Sequence, residues 1–195
     1  MRIISGSARG TKLRSAEATA LRPMLDRVKE SLFNILRHVV AGARVLDLFG
    51  GTGALGLEAL SRGAADCVFV ETDPALCRLL AENAARCGLE DRCALLQADV
   101  FALADRPPAA GCPASLVFVD APYAMVDDPN KRAELFRLLD GMAGTWIAEG
   151  AVVVLHHRPI PHAVWPTTRL AQWDRRIYGQ SQLTFFDLAP EARDE

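Results

Sequence analysis

The chain has 195 residues, of which 50% are hydrophobic and 24% charged, and its net charge is −2. This composition is typical of one globular domain and excludes a disordered or collagen-like chain. The sequence has no apolar run of the roughly 20 residues that a membrane helix needs, and its polar start does not resemble a signal peptide. We therefore expect a cytoplasmic protein without a membrane segment.

The cysteines and histidines give no metal-site pattern. Five cysteines, an odd number without C-x-x-C spacing, predict neither a disulfide framework nor a zinc site. His156 and His157 are adjacent rather than helically spaced, which also argues against metal binding. We expect no metal cofactor.

The charge is unevenly distributed along the chain. Residues 1–37 contain eight basic and three acidic side chains, a net +5, which leaves −7 on the remainder. A basic segment on an acidic body is typical of a localised phosphate contact, although a solvated helix face gives the same count. We expect a basic arm, or a hairpin around Ala8–Gly10, over residues 1–20, a single domain over 21–189 and a disordered tail over 190–195.

Strands and helices alternate after this basic segment. The predicted helices cover residues 26–39, 53–62, 74–87 and 130–142, with a short helix after Asp99. The predicted strands cover residues 44–48, 67–71, 92–97, 115–119, 151–155, 170–178 and 182–188. Only three residues separate the last two strands, so these two form an antiparallel hairpin.

This order of elements predicts the fold class. The alternation of strand and helix indicates an α/β protein whose mostly parallel, seven-stranded sheet is covered by helices on both faces. An antiparallel C-terminal hairpin that closes such a sheet is characteristic of the Rossmann-like class I methyltransferases, which use S-adenosylmethionine. Dinucleotide-binding domains usually lack that hairpin.

A glycine-rich turn follows the first strand of the sheet. The run Val45–Gly53 reads as a buried strand, a tight turn and the start of a helix whose amide groups face a ligand. Gly51, Gly53 and Gly56 also fit G-x-G-x-x-G, and Glu71 lies about 20 residues further on, as in a dinucleotide site. An NAD-dependent oxidoreductase therefore stays open at this point.

Four acids lie at or just beyond predicted strand ends, where open α/β sheets bind small molecules. Glu71 is suited to accept both ribose hydroxyls of S-adenosylmethionine, and Asp99 to accept from its adenine amino group. Asp47, with the backbone of the glycine turn, suits the methionine end. The predicted cofactor-binding residues are Asp47, Phe49, Gly50, Gly51, Gly53, Glu71, Asp99 and Val100.

The fourth acid begins the predicted acceptor motif, Asp120-Ala121-Pro122-Tyr123. The lone pair of an exocyclic amine on a base is delocalised into the ring. The Asp120 carboxylate and the Ala121 carbonyl can accept its two hydrogens and so aim the lone pair at a methyl donor. Pro122 stiffens the turn, and Tyr123 offers a face on which a flipped base stacks. These four residues are the predicted catalytic set.

Several stretches together resemble one family over nearly the whole chain. They are residues 2–6, 9–13, 21–23, 26–30, 32–36, 47–49 and 51–63, the motif after Val119, and Tyr178-Gly179. The chain resembles the bacterial 16S rRNA guanine-N2 methyltransferases of the RsmD family. The glycine turn and the R-P-x-x-D-R-V motif of residues 22–28 are specific when they occur together.

The resemblance implies transfer of a methyl group from S-adenosylmethionine to N2 of a guanine in 16S rRNA. The implied partner is the small ribosomal subunit or its assembly intermediate, and the implied enzyme is a monomer. Arg22, Pro23 and Arg27 are implied to lie beside the cofactor and the RNA. The chain departs from the family pattern at Met24, where a threonine is usual, and at Ala121, where a proline is usual.

Together with the basic arm, the resemblance predicts RNA contacts at Arg9, Lys12, Arg22 and Arg27. Three other functions remain open. The first is a methyltransferase that acts on an adenine N6 or on a protein glutamine. The second is an NAD-dependent oxidoreductase. The third is an RNA-binding assembly factor without catalytic activity.

Overall fold

The computed structural model describes residues 1–15, 24–161 and 163–189. Its strands are β1 (Arg44–Asp47), β2 (Asp66–Glu71), β3 (Cys93–Gln97), β4 (Ala114–Val119), β5 (Ile147–His157), β6 (Leu170–Tyr178) and β7 (Ser181–Leu188). They form one seven-stranded sheet in the order β3-β2-β1-β4-β5-β7-β6. β1 to β5 run parallel, and β7 runs antiparallel to both of its neighbours. The predicted fold class is confirmed, including the closing antiparallel hairpin.

The helices are α1 (Asp26–Ile35), α2 (Ala54–Ser61), α3 (Pro74–Cys87), α4 (Tyr123–Asp127) and α5 (Pro129–Gly141). α1 is shorter than expected because it tightens into a 3-10 turn over Leu36–His38. The sequence did not predict α4, since its five residues are too few to show a helical period. Within the described ranges, no helix has the length and apolar character needed to cross a membrane.

Two apolar clusters cover the two faces of the sheet. α1, α2 and α3 pack on one face together with the N-terminal segment, and α5 packs on the other. The chain runs outward from β1 to β3 and then returns to β4 on the other side of β1. The connections that leave the neighbouring strands β1 and β4 therefore diverge, which opens a crevice at their carboxyl ends.

The N-terminal segment forms a hairpin that is docked on the domain. Arg2 and Lys12 pair in an antiparallel bridge, and Ile3 and Leu13 are buried in the core. The hydroxyl of Ser61, at the end of α2, accepts from the amide of Ala8 at 2.9 Å and donates to the carbonyl of Ser5 at 2.6 Å. Because these bonds reach the backbone of the hairpin, its position is fixed relative to α2.

Replacing Gly6 by alanine is expected to displace this hairpin. A Cβ at Gly6 would lie 1.7 Å from the carbonyl oxygen of Ser61, and φ there is +88°. We expect the free energy of unfolding to fall by about 3 kcal/mol, from overpacking and left-handed strain together. Gly10 is the matched control, since its φ is +85° but a Cβ at that position would meet no atom within 4 Å.

In the control variant Gly10→Ala, only the backbone strain of about 1–2 kcal/mol remains. Urea denaturation of the two variants and the unaltered chain measures the difference. Equal losses for Gly6→Ala and Gly10→Ala would show that the contact with Ser61 does not hold the hairpin.

Candidate active site

A cleft of about 710 Å³ lies at the carboxyl edge of the sheet, a size typical of small-molecule sites. The predicted cofactor residues on its wall are Phe49, Gly51, Glu71, Asp99 and Val100. All four residues of the acceptor motif, Asp120 to Tyr123, lie on the same wall. The cleft therefore brings the two motifs together, although about 70 residues separate the glycine turn from Asp120.

The glycine turn takes the conformation that its sequence favours. Gly51 and Gly53 have φ values of +53° and +84°, which only glycine adopts easily. Gly53 precedes α2, and the amide of Gly50 donates to the carbonyl of Val70 at 2.9 Å. Gly50 and Gly53 were predicted to bind the cofactor, but they shape the turn and do not line the cleft.

Glu71 holds the turn as well as facing the cleft. Its Oε2 accepts from the amide of Gly51 at 2.9 Å, and its Oε1 accepts from the amides of Thr72 at 2.8 Å and Asp73 at 2.9 Å. A carboxylate offers about four acceptor positions. Oε2 therefore keeps a lone pair that can accept from one ligand hydroxyl. The second hydroxyl of the predicted bidentate contact would have to compete with the backbone amides that already donate to Oε1.

Asp47 lies beneath the turn and does not line the cleft. The residue is 1% exposed, and its Oδ2 accepts from the amide of Gly56 at 3.1 Å. Oδ1 is buried without a hydrogen-bond partner in the described residues. The sequence assigned this carboxylate to the methionine end of the cofactor, whereas the geometry uses it to fix the first turn of α2.

The pKa of Asp47 is raised to about 7, chiefly because burial disfavours the charged form and also because the carboxylates of Asp120 and Glu71 lie nearby; the hydrogen bond from the Gly56 amide acts in the opposite direction. The folded chain therefore binds a proton that the unfolded chain releases above its ordinary pKa of 3.8. This proton stabilises the fold fully below that pKa, and the contribution is lost as the pH rises through about 7.

We therefore expect Asp47→Asn to remove one pH-dependent term from the stability. As the pH rises from 4.5 to 8, the unaltered chain should lose stability relative to the variant. The difference between their free energies of unfolding should decrease by up to about 1.4 kcal/mol per pH unit. Urea denaturation at several pH values measures it. Burial lowers the pKa of His157 to about 4, so this residue makes the fold more stable as the pH rises. Both proteins contain His157, and its effect therefore cancels in the difference between them. Two parallel curves would contradict the assignment.

Asp99 begins the short 3-10 helix Val100–Leu103 at the cleft wall. Its Oδ1 accepts from the amide of Phe101 at 3.0 Å and so caps that helix. In the described part of the chain this cap uses only Oδ1, so Oδ2 can accept from a ligand amine. The apolar side chains of Leu76 and Phe101 line the cleft beside it, which sequence reasoning did not single out.

The acceptor motif is tied to the last strands of the sheet by an imidazole. His156, on β5, places Nδ1 at 2.7 Å from Oδ1 of Asp120 and Nε2 at 3.2 Å from the Tyr123 hydroxyl. That hydroxyl also lies 3.2 Å from Oγ of Ser181, the first residue of β7. The sequence analysis considered His156 only as a metal ligand and so missed this contact.

Arg158 is a second cleft residue that sequence reasoning missed. Its guanidinium carbon lies 5.2 Å from the centre of the Tyr123 ring, a distance at which a cation is attracted to an aromatic face. Its Nη1 also pairs with Asp127 at 3.3 Å. A positive charge therefore stands at the acceptor end of the cleft, outside the basic segment that the sequence singled out.

The basic segment is partly neutralised by the fold. Arg2, Arg14 and Lys29 pair with Asp26, Glu82 and Glu58, respectively. Of the residues predicted to bind RNA, Arg9, Lys12 and Arg27 are exposed. Arg22, the fourth, lies outside the described residues. Within the residues that the structure describes, no group of three metal-ligating side chains comes together.

Comparison with known proteins gives the family. A family model described as "Conserved hypothetical protein 95" matches residues 1–187. Ribosomal RNA small subunit methyltransferase D of Escherichia coli is 38% identical over 153 residues, which is 78% of this chain and 72% of that protein. The chain belongs to the RsmD family of rRNA methyltransferases. The resemblance found in the sequence is confirmed, and the dinucleotide interpretation of the glycine turn is set aside.

Solved structures agree with membership of the RsmD family. The structure of yhhF from Escherichia coli has a TM-score of 0.82 and 30% identity, with 97% of this chain and 98% of that chain covered. An RNA methyltransferase from Salinibacter ruber, in complex with S-adenosyl-L-homocysteine, has a TM-score of 0.58 and 21% identity, with 89% and 99% covered. This second likeness shows the fold alone.

Two departures from the RsmD pattern have a clear place in the structure. Ala121 is 2% exposed, and its backbone leads directly into Pro122, so a carbonyl is still supplied at that position. Met24 is 7% exposed and packs in the core with the hairpin and α1. Its side chain therefore serves packing, and it is not part of the cleft wall.

Proposed function

We propose that this chain transfers the methyl group of S-adenosylmethionine to the exocyclic N2 of a guanine in 16S rRNA of the small ribosomal subunit. One observation carries the proposal: a single cleft is lined by Gly51 of the glycine turn, by Glu71 and Asp99, and by the motif Asp120–Tyr123. A relative at 38% identity is named a small-subunit rRNA methyltransferase, which supports the same substrate class.

The residues of the cleft fit S-adenosylmethionine. Oε2 of Glu71 and the free oxygen of Asp99 suit the ribose and the adenine amine, and Leu76 and Phe101 supply apolar contacts for a ring. A protein of the same fold, from Salinibacter ruber, is described with the demethylated product of this cofactor.

The chain's own residues position the acceptor. When bound, S-adenosylmethionine would supply the methyl group to N2 and leave as S-adenosylhomocysteine, and the proton that N2 loses would pass to the Asp120 carboxylate and from there to solvent. The Asp120 carboxylate and the Ala121 carbonyl accept the N2 hydrogens and keep the lone pair out of the ring system. Tyr123 stacks on the base, a contact worth roughly 1–3 kcal/mol.

The RNA side of the proposal uses the exposed cations. Arg9 and Lys12 on the docked hairpin and Arg27 on α1 are exposed and can contact phosphates, and Arg22 is proposed with them. Arg158 adds a charge at the cleft itself. We further propose that the protein acts as a monomer in the cytoplasm, where small subunits are assembled.

Mass spectrometry tests the proposal directly. Small subunits from a strain that lacks the endogenous enzyme are incubated with the purified chain and isotope-labelled S-adenosylmethionine, and the rRNA is digested to nucleosides. Label in N2-methylguanosine is the expected result. Label in N6-methyladenosine or in a protein glutamine would assign one of the other acceptors. Absence of label from every product, together with binding of NADH, would contradict the proposal.

A further inference from the structure

A buried imidazole lies directly behind the acceptor motif. The His156 side chain is 4% exposed, while that of Asp120 is 33% exposed and reaches the cleft. The imidazole contacts Asp120 through Nδ1 and Tyr123 through Nε2, at 2.7 Å and 3.2 Å. One side chain therefore touches both the carboxylate and the ring that the proposed function assigns to the guanine.

The partners define which nitrogen carries the proton. An ionised carboxylate only accepts hydrogen bonds, so the proton lies on Nδ1, which donates to Oδ1 of Asp120. With one proton on the ring, Nε2 is an acceptor, and the Tyr123 hydroxyl donates to it. Ser181 can donate to the same hydroxyl from β7. The side chains thus form a hydrogen-bonded chain with a consistent direction.

We propose that His156 is a positioning residue for methyl transfer. It holds Oδ1 of Asp120, so that Oδ2 is left to accept from the guanine N2, and it separately fixes the tilt of the Tyr123 ring on which the base stacks. This inference rests on the proposed function. The Nδ1 contact serves the chemical step and the Nε2 contact serves binding of the base, because each holds a different acceptor-site group.

The neighbouring residue provides a matched control. His157 is on the same strand and equally buried, at 0% against 3% exposure. Its Nδ1 donates to the carbonyl of Arg158 and its Nε2 lies 2.9 Å from Oγ1 of Thr184, on the other face of β5. It has the same chemistry and the same burial as His156 but no contact with the acceptor motif.

Two substitutions separate the two contacts of His156. His156→Asn keeps an amide donor at the position of Nδ1 and loses the bond to Tyr123. His156→Gln keeps an acceptor near the position of Nε2 and loses the donor to Asp120. We expect His156→Gln to lower kcat by about 10- to 100-fold, as loss of a hydrogen bond to a charged group does, with little change in KM for the small subunit.

We expect the opposite pattern for His156→Asn, with kcat nearly unchanged and KM for the small subunit raised. Tyr123→Phe removes the same hydrogen bond from the other side and should have the same effect. The His157→Gln control should leave kcat unchanged, and thermal unfolding of each variant reports any common loss of stability. Equal effects of the two His156 substitutions on kcat, or an equal loss in His157→Gln, would overturn the assignment.

A spectroscopic measurement keeps this inference separate from the proposed function. Nitrogen chemical shifts of the labelled imidazole should show the proton on Nδ1 of His156, and this preference should be lost in Asp120→Ala. A proton on Nε2 would overturn the inference even in an active enzyme. If the tautomer is as expected but no N2-methylguanosine forms, the proposed function fails while the hydrogen-bonded chain stands.

Discussion

Replacing Asp120 by alanine is expected to lower kcat for methyl transfer by about 10²–10⁴-fold, the range that a positioned acid–base group contributes. The carboxylate follows β4, lines the cleft and is held by His156. It is assigned to the acceptor amine, so its removal leaves the N2 lone pair delocalised in the base. Glu71 and Asp99, which are proposed to bind the cofactor, are unchanged in this variant.

The dissociation constant for S-adenosylmethionine should therefore change by less than about threefold, because only interactions with the acceptor are removed. Calorimetry measures the affinity, and single-turnover transfer of labelled methyl groups measures the rate. Asp91→Ala is the charge-matched control, because that exposed acid precedes β3 and lies at the opposite edge of the sheet. A large loss of cofactor affinity in Asp120→Ala would contradict the assigned role.

Glu58 carries the largest expected effect on stability. This residue of α2 is 0% exposed and pairs with the equally buried Lys29 of α1 at 3.1 Å. Arg62 pairs with its other oxygen at 2.7 Å. The carboxylate also accepts from the amides of Ile4 at 2.8 Å and Ser5 at 3.0 Å. It therefore joins α1, α2 and the N-terminal hairpin.

Glu58→Ala is expected to lower the free energy of unfolding by about 3–5 kcal/mol, the usual result when one member of a buried ion pair is removed. The Lys29 charge is left buried without its carboxylate, and two backbone amides lose their acceptor. Adding Lys29→Met to this variant should restore part of the loss, since the uncompensated charge is then gone. Urea denaturation measures all three proteins.

A surface pair provides the comparison for this result. Arg14 and Glu82 form an ion pair whose side chains are 59% and 51% exposed. Glu82→Ala should cost at most about 1 kcal/mol, because solvent screens exposed pairs. If Glu58→Ala costs no more than Glu82→Ala, the buried cluster does not hold the hairpin to the domain.

The sequence predicted the sheet and the acidic side chains of the cleft because both follow from local patterns. Buried runs and glycine turns mark parallel strands, and the carboxyl ends of such strands meet at one edge. Glu71, Asp99 and Asp120 could therefore be assigned to a common site before any coordinates were known. Asp47 follows the same pattern, but its side chain turns under the backbone, which strand position alone does not determine.

His156 could not be predicted because its role depends on register. Val119 is paired with Leu155 in the parallel ladder of β4 and β5, so the next residues, Asp120 and His156, lie side by side. A shift of one residue would turn the imidazole to the other face of the sheet. The sequence shows only a polar residue at the end of an apolar strand. Its partner, Asp120, could not be identified before the strand order was known.

Lys29 is one of the eight basic residues counted in residues 1–37, and its helical spacing already sets it apart from the exposed cations. It lies three residues before Leu32, four before Phe33 and seven before Leu36, all of which are buried. This spacing places it on the apolar face of α1. A basic residue on such a face predicts a buried ion pair rather than contact with RNA.

The strand order also determines when each half of the cleft is completed as the protein is made. The residues proposed to face the cofactor come from the turn after β1, from β2 and from the segment after β3, and the acceptor motif contacts Ser181 on β7. Proteins are synthesised from the N-terminus, and pairing between distant segments is slow. A nascent chain can therefore form the part of the cleft that contains Glu71 and Asp99 well before Tyr123 gains its contact with Ser181. The cleft is complete only when the C-terminal hairpin of β6 and β7 has folded.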